Sequence, residues 1–282
     1  MNLSEGYFYG KGDTKIFYRK DIPTQAKAIL VIAHGYMEHS GRYLDFAAYL
    51  VANQFGVCII DHRGNGRSEG EEGDIEDFFD FIEDMRLLLL ELKKHHKPIV
   101  TYGHSMGGLI TFIYGLKYPK TVSGQIFSSP ALGVPTGCKN LPPVFYEEMG
   151  HIVGNCHVYR GGEVLATRNE AYLKAFKKDP DANHYATIRF MDQFLRIGVD
   201  YAVTHAMKYS VSSLFLLGVR DRVIPISRNR SILEKISYEA KKVIEYETCM
   251  HDLLHDLEPE VIKIEQDILE WLQDHVKKLN NL

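Results

Sequence analysis

The chain has 282 residues, of which 45% are apolar and 25% are charged, a composition typical of globular rather than disordered proteins. Its length favours one domain that carries a sizeable insertion. A net charge of −4 argues against a nucleic-acid-binding protein, because that class usually presents a basic patch or stripe.

Strand and helix patterns alternate through the first 130 residues. Two short alternating segments, 7–9 and 14–19, flank a turn sequence at 10–13 and predict an antiparallel hairpin. The later strands are continuous apolar runs, typical of strands buried on both faces of a sheet. The remaining predictions here are strands over 28–33, 57–60, 98–102 and 122–128, and helices over 44–52, 75–94 (with Asp74 as N-cap) and 106–117. Together they predict an α/β fold with a mostly parallel central sheet flanked by helices.

The alternation of strand and helix patterns stops after Pro130. Residues 131–209 contain no comparable buried strand, and prolines and glycines punctuate their aromatic and apolar residues. Helical patterns then cover 168–176 and 186–206, followed by a strand over 214–217, a helix over 226–236, a strand over 242–246 and a terminal helix from Pro259. We therefore predict a core built from 1–130 and 210–282, with a helical cap at 131–209 inserted after the sixth strand.

The sequence shows no pattern typical of a secretory leader, a membrane span or a cysteine-based metal site. The first residues lack the basic and apolar regions of a secretory leader, and no apolar run reaches the roughly 18 residues of a membrane span. The four cysteines show neither C-x-x-C nor zinc-ribbon spacing, and Cys58 lies in an apolar run. We expect a cytoplasmic protein with free thiols, and a bridge between Cys138 and Cys156 is the alternative.

The sequence Gly103-His104-Ser105-Met106-Gly107 matches the G-x-S-x-G nucleophile elbow. In that motif a sharp strand-to-helix turn holds the serine in a strained conformation and exposes its hydroxyl. A predicted strand precedes the motif and a predicted helix follows it, which is the context that the motif requires. Ser105 is therefore the candidate nucleophile.

A serine hydroxyl needs a base to take its proton and an acid to orient that base. With this elbow, the chain order is serine, acid, histidine. His251 follows the last predicted strand and is preferred to His255, which is expected to cap or pack one helical turn later. Asp221, in the loop after the strand over 214–217, is preferred as the acid, with a surface ion pair as its alternative. Asp192 and Asp200 lie in the predicted helical insertion and are interpreted as ordinary charges on a helix face.

Ester or amide hydrolysis also requires donors for the oxyanion of the tetrahedral intermediate. One donor is expected to be the backbone N–H of Met106, directly after the nucleophile. The other is expected from the loop that follows the strand over 28–33, at the backbone N–H of Tyr36. His34 in that loop is expected to pack beneath the site rather than to act in catalysis.

With these residues assembled, the sequence resembles the monoacylglycerol lipase and lysophospholipase branch of the α/β-hydrolases over nearly its whole length. The most specific similarity lies in three blocks, 34–43, 61–70 and 103–108. Asn65 stands where this family commonly has histidine, and His255 stands where asparagine is common. The resemblance implies the α/β-hydrolase fold, hydrolysis of a fatty acyl ester and a helical cap that shapes an acyl tunnel.

The cap offers apolar residues for such a tunnel, and a stripe packed on the main domain is the alternative for any one of them. The predicted substrate-binding residues are Val144, Phe145, Met149, Phe190 and Phe194, within a wider apolar set of Leu132, Ile152, Val153, Phe176, Met191 and Leu195. A cap with one apolar face can also rest transiently on a membrane surface. The chemistry requires no metal and no organic cofactor, and the expected partner is a small lipid or ester, with the oligomeric state left open.

Three other functions remain compatible with these residues. A short-acyl carboxylesterase or thioesterase would use the same triad, and a chain-length series would distinguish it. A non-catalytic receptor would bind a small ligand in the same pocket without turnover. An aminopeptidase is possible on this fold, although the sequence offers no evident acidic pocket for a substrate amine.

Overall fold

The structure, a computed structural model, describes residues 2–133, 157–159 and 166–281. Within this part of the chain, eight strands form one sheet in the order β1-β2-β4-β3-β5-β6-β9-β10, and β7 and β8 form a separate antiparallel pair. The strands are β1 (Ser4–Tyr9), β2 (Lys15–Asp21), β3 (Ile29–Ala33), β4 (Gly56–Ile60), β5 (Ile99–His104), β6 (Gly124–Ser128), β7 (His157–Tyr159), β8 (Tyr185–Thr187), β9 (Ser213–Gly218) and β10 (Lys241–Tyr246).

Helices cover both faces of the large sheet. The described helices are α1 (Leu44–Ala52), α2 (Phe79–Leu92), α3 (Ser105–Lys117), α4 (Glu170–Phe176), α5 (Ile188–Asp192), α6 (Val199–His205), α7 (Ile226–Lys235) and α8 (Glu258–Asn280). β1 pairs antiparallel with β2, and β2 pairs antiparallel with β4. All other neighbours in this sheet are parallel. The predicted α/β-hydrolase fold, with a mostly parallel sheet between helices, is confirmed.

The two-residue period of a strand explains why the sheet has an apolar layer on each face. In β3, Ile29 and Val31 belong to the cluster that includes residues of α2 and α3. The alternate residues Leu30 and Ile32 belong to the cluster that includes residues of α1 and α8. The continuous apolar run of β3 therefore serves two cores, as its fully buried pattern predicts.

The structure corrects the bounds of two predicted helices and one predicted N-cap. The helix predicted over 75–94 begins at Phe79 and ends at Leu92, with no side-chain N-cap. Asp74 does not cap it, because its carboxylate instead accepts a hydrogen bond from Thr187 and pairs with Arg189, both from the insertion. Residues 186 and 187, predicted to be helical, belong to β8, and the Thr187 side chain caps the start of α5.

The insertion after β6 is described over 131–133, 157–159 and 166–209. A π-helical turn, Gln193–Gly198, joins α5 directly to α6. No helix in the described part of the chain is long and apolar enough to span a membrane. Seven residues named from the sequence lie outside the described residues, namely Cys138, Val144, Phe145, Met149, Ile152, Val153 and Cys156. The division into core and cap stays a prediction.

Candidate active site

Ser105 lies at the junction of β5 and α3, near the middle of the large sheet. Its φ angle of 49° is in the left-handed region, which a residue with a side chain adopts only when its surroundings enforce it. The residue is 8% exposed. This is the backbone that the nucleophile elbow predicts for the serine.

The two outer glycines of the motif enforce that turn. A Cβ atom at Gly103 would meet the carbonyl oxygen of Gly107 and the hydroxyl of Thr111. A Cβ atom at Gly107 would meet the carbonyl oxygens of Ala33 and His34 at the end of β3. Only glycine therefore fits at either position, because three pieces of backbone pass within contact distance of one another.

The structure brings the predicted base and acid together. Nδ1 of His251 lies 2.7 Å from Oδ2 of Asp221, and the two side chains are 5% and 2% exposed. Oδ1 of Asp221 accepts hydrogen bonds from the backbone N–H groups of Val223 and Ile224, both at 2.8 Å. The carboxylate is thus fixed by its own loop, with one oxygen left to orient the imidazole.

A ring contact with His104 shows that His251 lies close to the elbow. The ring of His104, the residue directly before Ser105, lies 5.0 Å from the ring of His251. Burial lowers the pKa of His251, but the charge and the hydrogen bond of Asp221 raise it by more, so the net direction is upward. A base of this kind can take a proton near neutral pH and hold it beside a carboxylate.

The loop after β3 carries the predicted oxyanion donor at Tyr36. The N–H of Gly35 donates to Oε2 of Glu38 at 2.7 Å, and Nδ1 of His34 lies 2.7 Å from the carbonyl oxygen of Gly35. The N–H of His62 donates to Nε2 of His34 at 3.0 Å. Both ring nitrogens of His34 are therefore bound to backbone groups, as expected for a residue that fixes the loop.

Met106, the other predicted donor, lies in the first turn of α3. The first four N–H groups of a helix have no partner within the helix. The N-terminal end of a helix also carries partial positive charge, which favours a nearby anion. The position of this N–H directly after Ser105 therefore suits an oxyanion.

A group of buried charges beside the site was not recognised from the sequence as a unit. We call Glu38, Arg42, Asp252 and His255 the charge quartet. Arg42 lies 3.7 Å from Glu38 and 4.0 Å from Asp252, and His255 lies 2.9 Å from Asp252. Glu38 also accepts a hydrogen bond from the Tyr43 hydroxyl at 2.7 Å. The signal in the sequence is that two of its members fall within 34–43, the block of strongest similarity.

The partners of His255 determine its charge. Nδ1 faces the Asp252 carboxylate, and Nε2 lies 2.8 Å from the carbonyl oxygen of Arg42. Because both acceptors lack protons, both ring nitrogens must carry one, and the ring is an imidazolium. Burial lowers the pKa of His255, and Asp252 raises it by more. With two acidic and two basic members, the charge quartet is neutral as a whole.

Three members of the quartet, Glu38, Asp252 and His255, bring potential metal-ligand atoms within 4.8 Å of one another. A histidine ligates a metal through an unprotonated nitrogen. Both nitrogens of His255 already face acceptors, and Arg42 supplies a second positive charge beside the carboxylates. These residues therefore do not fit a cation site.

Of the predicted substrate-binding residues, Phe190 and Phe194 lie in the described part of the chain. They are 2% and 4% exposed, and their rings lie 5.2 and 6.3 Å from the ring of Tyr36. Asp192 forms an ion pair with Arg196 one helical turn away, as expected for a helix-face charge. The insertion after β6 thus places aromatic rings directly against the predicted oxyanion loop.

Comparisons with known proteins show what the chain as a whole is similar to. The family model for "Serine aminopeptidase, S33" matches residues 24–258. The chain is 30% identical over 277 residues to a monoacylglycerol lipase of Mycolicibacterium smegmatis, covering 97% of this chain and 98% of that protein. It is 28% identical over 255 residues to a monoglyceride lipase of Rattus norvegicus, covering 89% and 84%. The structure of a soluble variant of a Saccharomyces cerevisiae monoglyceride lipase superposes with a TM-score of 0.86 at 18% identity, covering 98% and 96%.

Proposed function

Because the chain belongs to the serine aminopeptidase S33 family and, within it, to the monoacylglycerol lipase group of α/β-hydrolases, we propose that Ser105, Asp221 and His251 cleave monoacylglycerol- or lysophospholipid-like esters. The chain is a serine hydrolase of carboxylic esters. The observation that carries the proposed triad is the 2.7 Å contact between His251 and Asp221 beside a serine held at a positive φ angle.

The proposed reaction has two halves. His251 takes the hydroxyl proton of Ser105 as Oγ attacks the ester carbonyl carbon, and the N–H groups of Tyr36 and Met106 bind the oxyanion. The C–O bond to the alcohol breaks, His251 donates its proton to the departing oxygen, and an acyl-enzyme remains. Water then loses a proton to His251 as it attacks the acyl carbon, the bond between that carbon and Oγ breaks, and His251 returns the proton to Oγ, which releases the carboxylic acid and free Ser105.

The substrate class rests on the relatives and on the apolar character of the cap. Two relatives that align over most of this chain carry the names monoacylglycerol lipase and monoglyceride lipase. The described cap adds large apolar residues above the sheet, among them Met191 and Leu195. Because single-chain acyl esters reside in lipid assemblies, the proposal includes a cytoplasmic protein whose cap, residues 131–209, contacts membrane surfaces transiently.

A fluorophosphonate probe tests the nucleophile and the substrate class together. Wild type, Ser105→Ala and the control Ser227→Ala, at an exposed serine of α7, would be labelled with and without excess 1-monooleoylglycerol. We expect labelling of wild type and control only, slowed by the lipid, and a loss of turnover of about 10³-fold or more in Ser105→Ala.

Each other result changes a different part of the proposal. Labelling that the lipid does not slow would retain the hydrolase and move the substrate to short esters. Ester hydrolysis by Ser105→Ala at the wild-type rate would overturn the choice of nucleophile. Absence of labelling in wild type would contradict the activated triad.

A further inference from the structure

The predicted oxyanion loop has an unfavourable backbone. Met37, directly after Tyr36, has a φ angle of 68°. A non-glycine residue in the left-handed region costs free energy and persists only where its surroundings hold it. The orientation of the Tyr36 N–H therefore depends on contacts made by the loop on all sides.

One side of the loop is held by polar groups of the core. Glu38 binds the N–H of Gly35, and His34 binds the carbonyl oxygen of the same residue. The first bond fixes the peptide group before Gly35, and the second holds only the carbonyl end of the peptide group that carries the Tyr36 N–H. They leave the side chains of Tyr36 and Met37 to be fixed by something else.

The cap holds those two side chains. The ring of Tyr36 stacks on Phe190, with 5.2 Å between centroids and 28° between planes, and lies 6.3 Å from Phe194. Met37 packs with Phe176 and with Ala182 in a small buried cluster. The cap thus contacts consecutive residues of the loop at the point where the backbone is strained.

The aromatic support is itself anchored to the core. Phe194 stacks on Phe78 with 6.1 Å between centroids and 8° between planes, and Phe190 packs edge-on against Phe81 at 6.5 Å. The side chain of Gln193 accepts a hydrogen bond from the N–H of Phe78 at 3.1 Å. Gln193 begins the π-helical turn, a feature often found at functional sites.

We propose that Phe190 is a positioning residue that holds the Tyr36 N–H in the oxyanion hole, so that the cap sets turnover as well as acyl selection. This inference rests on the proposed function. In this proposal the ring of Phe190 supports Tyr36 and does not contact the acyl chain of the substrate. Loss of the flat ring would let the strained backbone at Tyr36 and Met37 relax, which would displace the Tyr36 N–H and weaken a hydrogen bond that is strongest in the transition state.

The test compares Phe190→Leu with wild type on p-nitrophenyl esters from acetate to laurate. We expect kcat to fall by about ten- to a hundredfold and by a similar factor at every chain length, with KM nearly unchanged. Phe55→Leu is the matched control, because Phe55 is buried just before the N-terminal end of β4, whereas Ser105 follows the C-terminal end of β5, and the two strands run parallel. A kcat equal to wild type on acetate with a changed chain-length preference would overturn the inference and assign Phe190 to the acyl channel.

An oxyanion-specific measurement separates positioning from general damage. Sulfur is a weaker hydrogen-bond acceptor than oxygen, so a thionoester benefits less from the donors than the matching ester does. The ester-to-thionoester rate ratio should fall at least severalfold in Phe190→Leu and stay at the wild-type value in Phe55→Leu. The ratio cancels the fraction of folded enzyme within one preparation. An unchanged ratio in Phe190→Leu contradicts the positioning role, whereas failure of the triad itself would show as full activity in Ser105→Ala.

Discussion

At the scale of single residues, the pair His251 and Asp221 shows how a loop prepares a base. Oδ1 of Asp221 accepts hydrogen bonds from two backbone N–H groups, and Oδ2 contacts the imidazole of His251. The loop therefore fixes the carboxylate independently of His251, which reduces the conformational entropy lost on forming the pair. The carboxylate also opposes the effect of burial and raises the pKa of His251.

Asp221→Asn should separate orientation from charge. We expect kcat to fall about 10³- to 10⁴-fold, because an amide can stabilise the wrong imidazole tautomer and offers no charge to the imidazolium. The base must be neutral, so activity is lost as the pH falls through the pKa of His251. Removal of the carboxylate lowers that pKa, and the acid limb of kcat/KM should move to lower pH.

The control for this variant is Asp200→Asn, which removes an exposed carboxylate from the first turn of α6. It should keep the wild-type kcat and the wild-type pH profile. An acid limb that stays in place, or moves to higher pH, in Asp221→Asn would show that another group controls the protonation of the base.

At the scale of elements, the charge quartet and its neighbour Tyr172 join three segments that are distant in sequence. Glu38 and Arg42 belong to the loop after β3, and Asp252 and His255 belong to the segment between β10 and α8. Tyr172 of α4 stacks on His255 at 4.3 Å and lies under the guanidinium of Arg42 at 4.3 Å. The quartet therefore fixes the predicted oxyanion loop, the segment that carries His251 and the cap relative to one another.

His255→Asn should lower the free energy of unfolding in a pH-dependent way. The folded-state pKa of His255 is raised, so its contribution is complete below the unfolded value of about 6.5 and is lost as the pH rises through the folded value. We expect a loss of about 3 kcal/mol near pH 6, because Asp252 keeps a buried charge with one partner fewer. The loss should be smaller near pH 9.

Urea denaturation at the two pH values measures this difference. His205→Asn is a suitable control, since His205 is half-buried, stacks on Tyr201 and lies outside the quartet. A loss in His255→Asn that is equal at both pH values would mean that packing on Tyr172, rather than charge, is what His255 contributes.

At the scale of the whole molecule, polar side chains bind the described part of the insertion after β6 to the residues that precede it. Asn183 donates to the carbonyl oxygen of Gly64 at 2.8 Å and to the side chain of Asn65 at 3.0 Å. Asp179 pairs with His39 at 2.9 Å. Thr187 and Arg189 converge on Asp74, as described above. Breaking such buried contacts costs more than separating apolar surfaces alone, because each group would lose a geometrically suitable partner.

Hydrogen exchange measured by mass spectrometry should therefore show one cooperative unit. We expect amides in 188–205 to open with the same free energy as those of β5, since neither segment can unfold without disrupting the shared core. Separate opening of 188–205 at a lower free energy, with β5 still protected, would show that this part of the cap is an independent lid.

Most of the sheet was predictable from the sequence because strands buried on both faces are continuous apolar runs. The elbow was predictable because its residues are contiguous and lie between a predicted strand and a predicted helix, although the contacts that require glycine at position 107 come from the end of β3. Asp74 was misassigned because its partners, Thr187 and Arg189, lie more than one hundred residues away. The charge quartet was missed for the same reason: its members are ordinary polar residues until the fold brings them together. Local patterns therefore predict elements and turns, while long-range polar contacts emerge only from the fold.

The stacking of Tyr36 on Phe190 and the packing of Met37 with Phe176 have a consequence for how this chain could acquire a new substrate. A cap taken from a relative would meet this loop with foreign side chains and would leave a strained backbone without its support. Exchange of the cap alone is therefore disfavoured, and the cap and the loop after β3 have to change together as one inherited module. A change in the substrate range of this chain would then be constrained by the geometry of the chemical step.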